Sequence, residues 1–136
     1  MSEEAFHNKC NNKGPTISLF KNEKGYIFGG YASIDWQGGN GIYKSAPDSF
    51  IFTLTNMYNI SPTKFPNSDT NYSIYDDSSY GPCFGGGYDI GIRFNSTHYT
   101  SLGHSYKDVL GKGYSIFKGD NDNKYFNLKE IESFHF

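Results

Sequence analysis

Thr16-Ile17-Ser18-Leu19-Phe20-Lys21, then Asn22-Glu23-Lys24-Gly25, then Tyr26-Ile27-Phe28-Gly29-Gly30-Tyr31-Ala32 reads as strand, turn and strand. In the first run Ile17, Leu19 and Lys21 alternate against Thr16, Ser18 and Phe20, the two-residue period of a half-buried strand. The glycine-containing connection makes the pair a hairpin. The Gly29-Gly30 pair inside the second strand indicates a bulge, or another group pressed against the backbone. Outward from this hairpin the chain stays in short pieces, because 16 glycines and 5 prolines are spread along it and no stretch keeps helical apolar spacing over three turns. The expectation is a mainly β protein.

Before the hairpin, Ser2 to Cys10 offers a short helix with Ser2 as cap, Glu3 and Glu4 in its first turn, and Phe6 and Cys10 four residues apart. After it, Gln37 to Lys44 reads as a polar loop, and Ser49-Phe50-Ile51-Phe52-Thr53-Leu54-Thr55 as a strand. Residues 56–79 read as loop-dominated, with short strands around Lys64-Phe65 and from Tyr72 to Tyr75. Tyr88 to Phe94 is again period two, with Tyr88, Ile90, Ile92 and Phe94 on one face and Asp89 and Arg93 on the other. From Tyr125 to Phe136 the alternation runs almost unbroken, but the apolar set changes face near Lys129, which predicts a bulge. Terminal Phe134 and Phe136 predict a buried last strand, since exposed rings there invite aggregation.

At 136 residues the chain fits one domain, and 12 Tyr, 12 Phe and 1 Trp make rings the main core material. A net charge of −2 from 12 basic and 14 acidic residues leaves no cationic face for a phosphate backbone, so nucleic-acid binding is not expected. No apolar run approaches the length of a bilayer span, and the acidic start Ser2-Glu3-Glu4 differs from a secretory leader, so no membrane insertion and a cytoplasmic location are expected. With no export signal expected, the sequons at Asn59, Asn71 and Asn95 are given no weight.

Cys10 and Cys83 read as thiols rather than as a disulfide framework. Each is read as a buried small side chain, with a redox-active thiol as the alternative: Lys9 adjoins Cys10, and glycine amides surround Cys83. His7 and Cys10 supply only half of a structural zinc site, so no metal is expected, nor any cofactor. His7 is expected to bond a neighbouring backbone group. Trp36 with Asp35, Asp48, Asp76, Asp77 and Asp89 admits a sugar-binding surface, although no spacing selects an acid and base pair. The plainer alternative makes Trp36 a core or edge anchor and Asp76-Asp77 a solvated turn. Tyr80-Gly81-Pro82-Cys83-Phe84-Gly85-Gly86-Gly87-Tyr88-Asp89-Ile90 is the densest feature, with four glycines in seven residues from Gly81 to Gly87. Either its bare amides face a ligand or peptide, or its glycines let Tyr80 and Phe84 fold over a crowded crossing.

The order Phe6-His7-x-x-Cys10, Lys13-Gly14-Pro15-Thr16-Ile17, Ile27-Phe28-Gly29-Gly30-Tyr31, Trp36, Ser49 to Leu54, Tyr80 to Ile90, Leu102-Gly103-x-Ser105-Tyr106 and Leu128 to Phe134 resembles a TLDc domain over essentially the whole chain. The resemblance implies a β-sandwich of two antiparallel sheets with a few short helices over residues 1–136. It also implies a protein-interaction module, associated with oxidative-stress resistance and with the vacuolar proton-pumping ATPase (V-ATPase), and no established catalytic residues. Matching positions Gly29, Gly30, Gly85, Gly86, Asp89 and Glu130 form the candidate interaction site, with Trp36 added by the sugar-binding reading. TLDc domains usually carry a helical segment upstream of the Phe-His motif. The sequence starts five residues before Phe6, so the expectation is either a trimmed or a short natural form, with an apolar surface that self-association or a missing partner would cover.

The leading expectation is therefore a non-catalytic partner-binding domain. A thiol-based protective protein using Cys10 or Cys83 and a carbohydrate-binding sandwich are the alternatives.

Overall fold

A computed structural model describes residues 1–94 and 96–136; Asn95, and with it the third sequon, lies outside the described residues. Helix α1 (Glu3–Cys10) starts where Ser2 Oγ accepts the Ala5 N–H at 3.1 Å. It ends where Asn12 takes a left-handed φ of 59°. An eight-residue helix is marginal alone. This one is held by Phe6 and Cys10, both fully buried.

Strands β1 (Thr16–Asn22), β2 (Ile27–Ala32), β4 (Phe50–Thr53), β5 (Thr63–Pro66) and β11 (Leu128–His135) form an antiparallel sheet in the order β11-β1-β2-β4-β5. Strands β3 (Asn40–Lys44), β6 (Ile74–Asp77), β7 (Cys83–Phe84), β8 (Ile90–Gly91), β9 (His98–Tyr99) and β10 (Tyr125–Phe126) form a second, ordered β10-β9-β8-β7-β6-β3. A 3₁₀ turn (Thr70–Tyr72) precedes β6, and a one-turn helix α2 (Ser115–Lys118) precedes β10. The expected mainly β, two-sheet architecture is thus the one observed.

Aromatic rings fill the space between the sheets. Phe28 stacks on Phe117 at 4.9 Å between centroids and meets Phe20 and Phe126 at 5.5 Å. Toward the α1 end, Trp36 makes edge contacts with Phe6 at 5.4 Å and Phe84 at 6.0 Å. Gly30 of β2 faces the other sheet so closely that an added methyl would lie 2.5 Å from the Phe84 ring. The glycine pair therefore marks close approach to the backbone, one of its two expected meanings. The predicted bulge is also present: pairing steps from Lys21↔Glu130 to Asn22↔Leu128, leaving Lys129 as the extra residue.

Four expectations are corrected. Part of the Gln37–Lys44 loop is strand β3, which pairs with β6 through Tyr43↔Tyr75 and Lys44↔Ile74. The Tyr88–Phe94 strand shrinks to Ile90–Gly91, because Tyr88 adopts a left-handed φ of 54° and the Ile92 backbone bonds Gly81 and Pro82 instead of continuing a ladder. The last strand is a sheet edge, and Phe134 and Phe136 are 40% and 80% exposed. Asp76 is no solvated turn: it is buried in β6, ion-paired with Lys44 at 3.1 Å, and accepts the Gln37 and Gly38 N–H groups.

Candidate functional site

The glycine-rich segment is built around the carboxylate of Asp89, which is fully buried. Its Oδ2 accepts N–H bonds from Gly103, His104, Ser105 and Tyr106 at 3.0 to 3.2 Å, and its Oδ1 accepts from Ser105 as well. The Leu102–Tyr106 motif is thus wrapped around a carboxylate 14 to 17 residues upstream. Burial pushes the Asp89 carboxyl up to about 6, against the opposite pull of the four N–H donors. Gly85, at φ 93°, lies against this carboxylate where any side chain would collide with it. The Gly86 N–H donates to Ser105 Oγ at 2.8 Å, and the Gly85 N–H to the Ser73 carbonyl at 3.1 Å. The Tyr106 hydroxyl donates to that same carbonyl at 2.6 Å. Asp89 therefore acts as a buried anchor for the loop rather than as a group facing a ligand.

On the outer side of this loop lies a cluster of five tyrosines. Tyr43 meets Tyr72 at 5.0 Å and Tyr75 at 4.8 Å, Tyr75 meets Tyr80 at 5.7 Å and Tyr88 at 5.6 Å, and Tyr80 meets Tyr88 at 6.2 Å. Tyr43 and Tyr72 are 37% and 40% exposed, and the other three are half-buried. The Tyr43 hydroxyl donates to the Gly86 carbonyl at 3.1 Å, tying the cluster to the loop. Burial raises the phenols of Tyr43, Tyr75 and Tyr88 above their ordinary value, so all three stay protonated donors at neutral pH. Rings from β3, the 3₁₀ turn, β6 and two loops converge here, which no sequence spacing reveals. The clue available was only the tyrosine count.

The structure gathers Gly85, Gly86 and Asp89 into this one site, with Gly30 behind them against Phe84. It sets the other candidates apart. Gly29 lies in the five-stranded sheet under the Phe52 ring, and Glu130 is exposed on the β11 edge beside Lys21. Trp36 is fully buried, with its Nε1–H donating to Thr16 Oγ1 at 2.9 Å, so its ring offers no face to a sugar. Both cysteines are free and buried. Burial pushes the Cys83 thiol up to about 12 and raises that of Cys10, where Lys9 pulls the other way. His7 does bond the backbone: its Nε2 lies 2.9 Å from the Asp77 carbonyl and 2.7 Å from that of Tyr80, pinning α1 to the strand end. Among the described residues no cluster of metal-ligating side chains occurs, and no helix is long and apolar enough to cross a membrane.

The fold and site define a small aromatic-cored β-sandwich that carries a tyrosine-covered glycine loop on one face. Over residues 1–136 the chain matches the TLDc domain, and it belongs to that family. A 28-residue stretch is 54% identical to the MTOR-associated protein MEAK7 of Danio rerio, a match covering 21% of this chain and 6% of that protein.

Proposed function

We propose that this domain is a non-catalytic protein-interaction module that binds its partner through the tyrosine cluster over Gly85 to Tyr88, and that the partner is the V-ATPase. The observation that carries the interaction reading is the cluster itself. Exposed tyrosines concentrated on one patch are what protein interfaces use: each ring removes large apolar area from water, keeps a hydroxyl for hydrogen bonding, and loses little side-chain entropy. The Asp89 anchor holds the loop behind the patch, so few degrees of freedom are lost on docking. The partner is taken from the family resemblance. The name of the Danio rerio relative, which records an association with MTOR, supports an interaction role in general. Oxidant survival is the phenotype to score, again from the family resemblance. The thiol reading ranks below because burial keeps both thiols protonated and covered.

The test is capture of purified proton-pump subunits by three forms of the domain: wild type, Tyr43→Ala with Tyr72→Ala, and Cys10→Ser with Cys83→Ser. Expected is retention by the cysteine variant and at least about a tenfold loss by the tyrosine variant, at unchanged circular dichroism. Capture by none of the forms removes the pump as partner. Capture indifferent to the tyrosines removes the patch.

A further inference from the structure

The outer face of the five-stranded sheet combines apolar residues with the charges of Glu130, Glu132, Lys21 and Lys64, of which Glu130 and Lys21 are register partners across β11 and β1. Residues that alternate with the buried Phe20, Phe28, Ile51 and Phe65 point away from the core. Register places Glu132, Leu19, Gly29, Phe52 and Lys64 in one row across the five strands, from acid on β11 to base on β5. The neighbouring row, Phe134, Ile17, Tyr31, Phe50 and Pro66, is apolar or aromatic throughout. A shallow groove of about 310 Å³ on this face runs past Ile17, Phe50, Leu54 and Lys64. Among the described residues neither Glu132 nor Lys64 enters an ion pair, and the Lys64 ammonium rests 4.4 Å from the centre of the Phe50 ring.

We propose that this face is a self-association surface on which a second copy of the chain docks sheet to sheet, about a twofold axis parallel to β2. The occupant follows from the charge order. β2 is the middle strand of five, so a half-turn about an axis along it exchanges the β11 and β5 edges. Each Glu132 then lies over the Lys64 of the other copy, twice by symmetry. Leu19 falls over Phe52, Ile17 over Phe50, and Tyr31 over its own counterpart. Gly29 lies on the axis with no side chain of its own, and the Phe52 ring leans across it, 2.7 Å from where a methyl would stand. Aligned packing of two sheets is a standard arrangement, and the acid-to-base gradient selects this orientation over one that stacks β11 on β11 and sets glutamates against each other. Five strands about 4.8 Å apart span about 19 Å, and four to eight residues at about 3.3 Å run about 13 to 26 Å along them, a face below the roughly 800 Å² that a standard interface buries per partner. A weak dimer is therefore expected, populated toward the upper end of the concentration range tested below. The surface belongs to the sheet opposite the tyrosine cluster, so this proposal does not depend on the partner-binding reading above.

Sedimentation velocity from about 1 μM to about 1 mM protein tests it, with Glu132→Lys, Lys64→Glu and the double exchange as variants and thermal melting as the check on folding. Expected is a wild-type dimer, weakening by about tenfold or more in each single reversal, and recovery of most of the affinity in the double exchange. Should a reversal fail to fold, Glu132→Gln and Lys64→Gln carry the test, each weakening the dimer severalfold. A wild-type monomer at every concentration overturns the proposal. So does a dimer indifferent to both charges, or folded single variants whose loss the exchange does not repair.

Discussion

Replacing Asp89 by Asn and, separately, by Ala tests whether a buried carboxylate organises the glycine loop and at what electrostatic cost. In the Ala variant the Ser105 and Tyr106 N–H groups, both buried, lose their acceptor, while those of Gly103 and His104 are nearer water. At roughly 1 to 3 kcal/mol for each buried orphan, Ala falls about 4 kcal/mol below Asn, whose side-chain oxygen can occupy the Oδ2 position and keep the shared acceptor. The comparison of Asn with wild type depends on pH. The folded-state pKa of Asp89 is about 6 and its ordinary value 3.8, so the native protein binds this proton more tightly than the unfolded chain does. Stability from this group is therefore complete below about pH 4 and is lost as pH rises through about 6, a change of about 3 kcal/mol. The Asn variant lacks that loss, so it should gain on wild type by about 3 kcal/mol between pH 4 and pH 7. Urea unfolding read by the fluorescence of the buried Trp36 measures it. A gap that is flat with pH would show that the N–H donors balance burial, and one that widens in favour of wild type as pH rises would show that they outweigh it and hold the carboxylate ionised. Asp89 would then not be a desolvated anchor.

Three further outcomes are expected. Gly30→Ala drives a methyl into the Phe84 ring and should cost about 1 to 3 kcal/mol; adding Phe84→Leu should recover part of this, and strictly additive costs in urea unfolding would deny the contact. Burial, with Arg93 nearby, lowers His98 to about 4, and its Nδ1 accepts the Arg93 N–H at 3.1 Å, so stability should fall as pH drops from 6.5 toward 4. His98→Phe should flatten that limb of the melting temperature against pH once Asp89→Asn is also in place, because the two groups act in opposite directions over this range. Cys83 should react with an aromatic disulfide reagent at pH 8 only as fast as the protein opens, with its rate rising by orders of magnitude in urea; fast labelling of the native protein would revive the thiol reading.

How much of this was legible in the sequence depends on the range of the interaction concerned. The hairpin of β1 and β2, the capped α1 and the Lys129 bulge are set by residues a few positions apart, and alternation or capping displayed them. β3 was hidden because Asn40-Gly41-Ile42-Tyr43-Lys44 has a glycine and polar residues in place of an alternating core face, and its place in the sheet comes from pairing with β6, whose paired residues lie 30 to 37 positions later. Phe134 and Phe136 misled for the reverse reason: alternation shows that two faces differ but not which face is covered, and the covered set of β11 includes Ser133, bonded to Ser18 at 2.8 Å.

The site shows the same division. The glycine density of Tyr80 to Ile90 was a local feature and marked the segment, but Asp89, Gly85 and Gly86 entered as candidates through the TLDc resemblance, and their joint role was not readable. The carboxylate is satisfied by backbone N–H groups, which every non-proline residue carries and which therefore leave no mark on side-chain identity. The tyrosines were visible only as a total, since Tyr43, Tyr72, Tyr75, Tyr80 and Tyr88 are joined by sheet pairing and by a left-handed turn at Tyr88. That turn gives the arrangement a further consequence. With Tyr88 at φ 54°, its N–H donates to the Gly85 carbonyl at 3.1 Å and its ring is directed back over Tyr75 and Tyr80, while the next residue, Asp89, points into the core. One local conformation thus couples the buried anchor to the exposed patch. Should the proposed patch bind a partner, loosening the anchor is expected to weaken that binding although Asp89 is fully buried, whereas trimming the exposed Tyr72 ring should weaken it and leave the stability of the loop nearly intact.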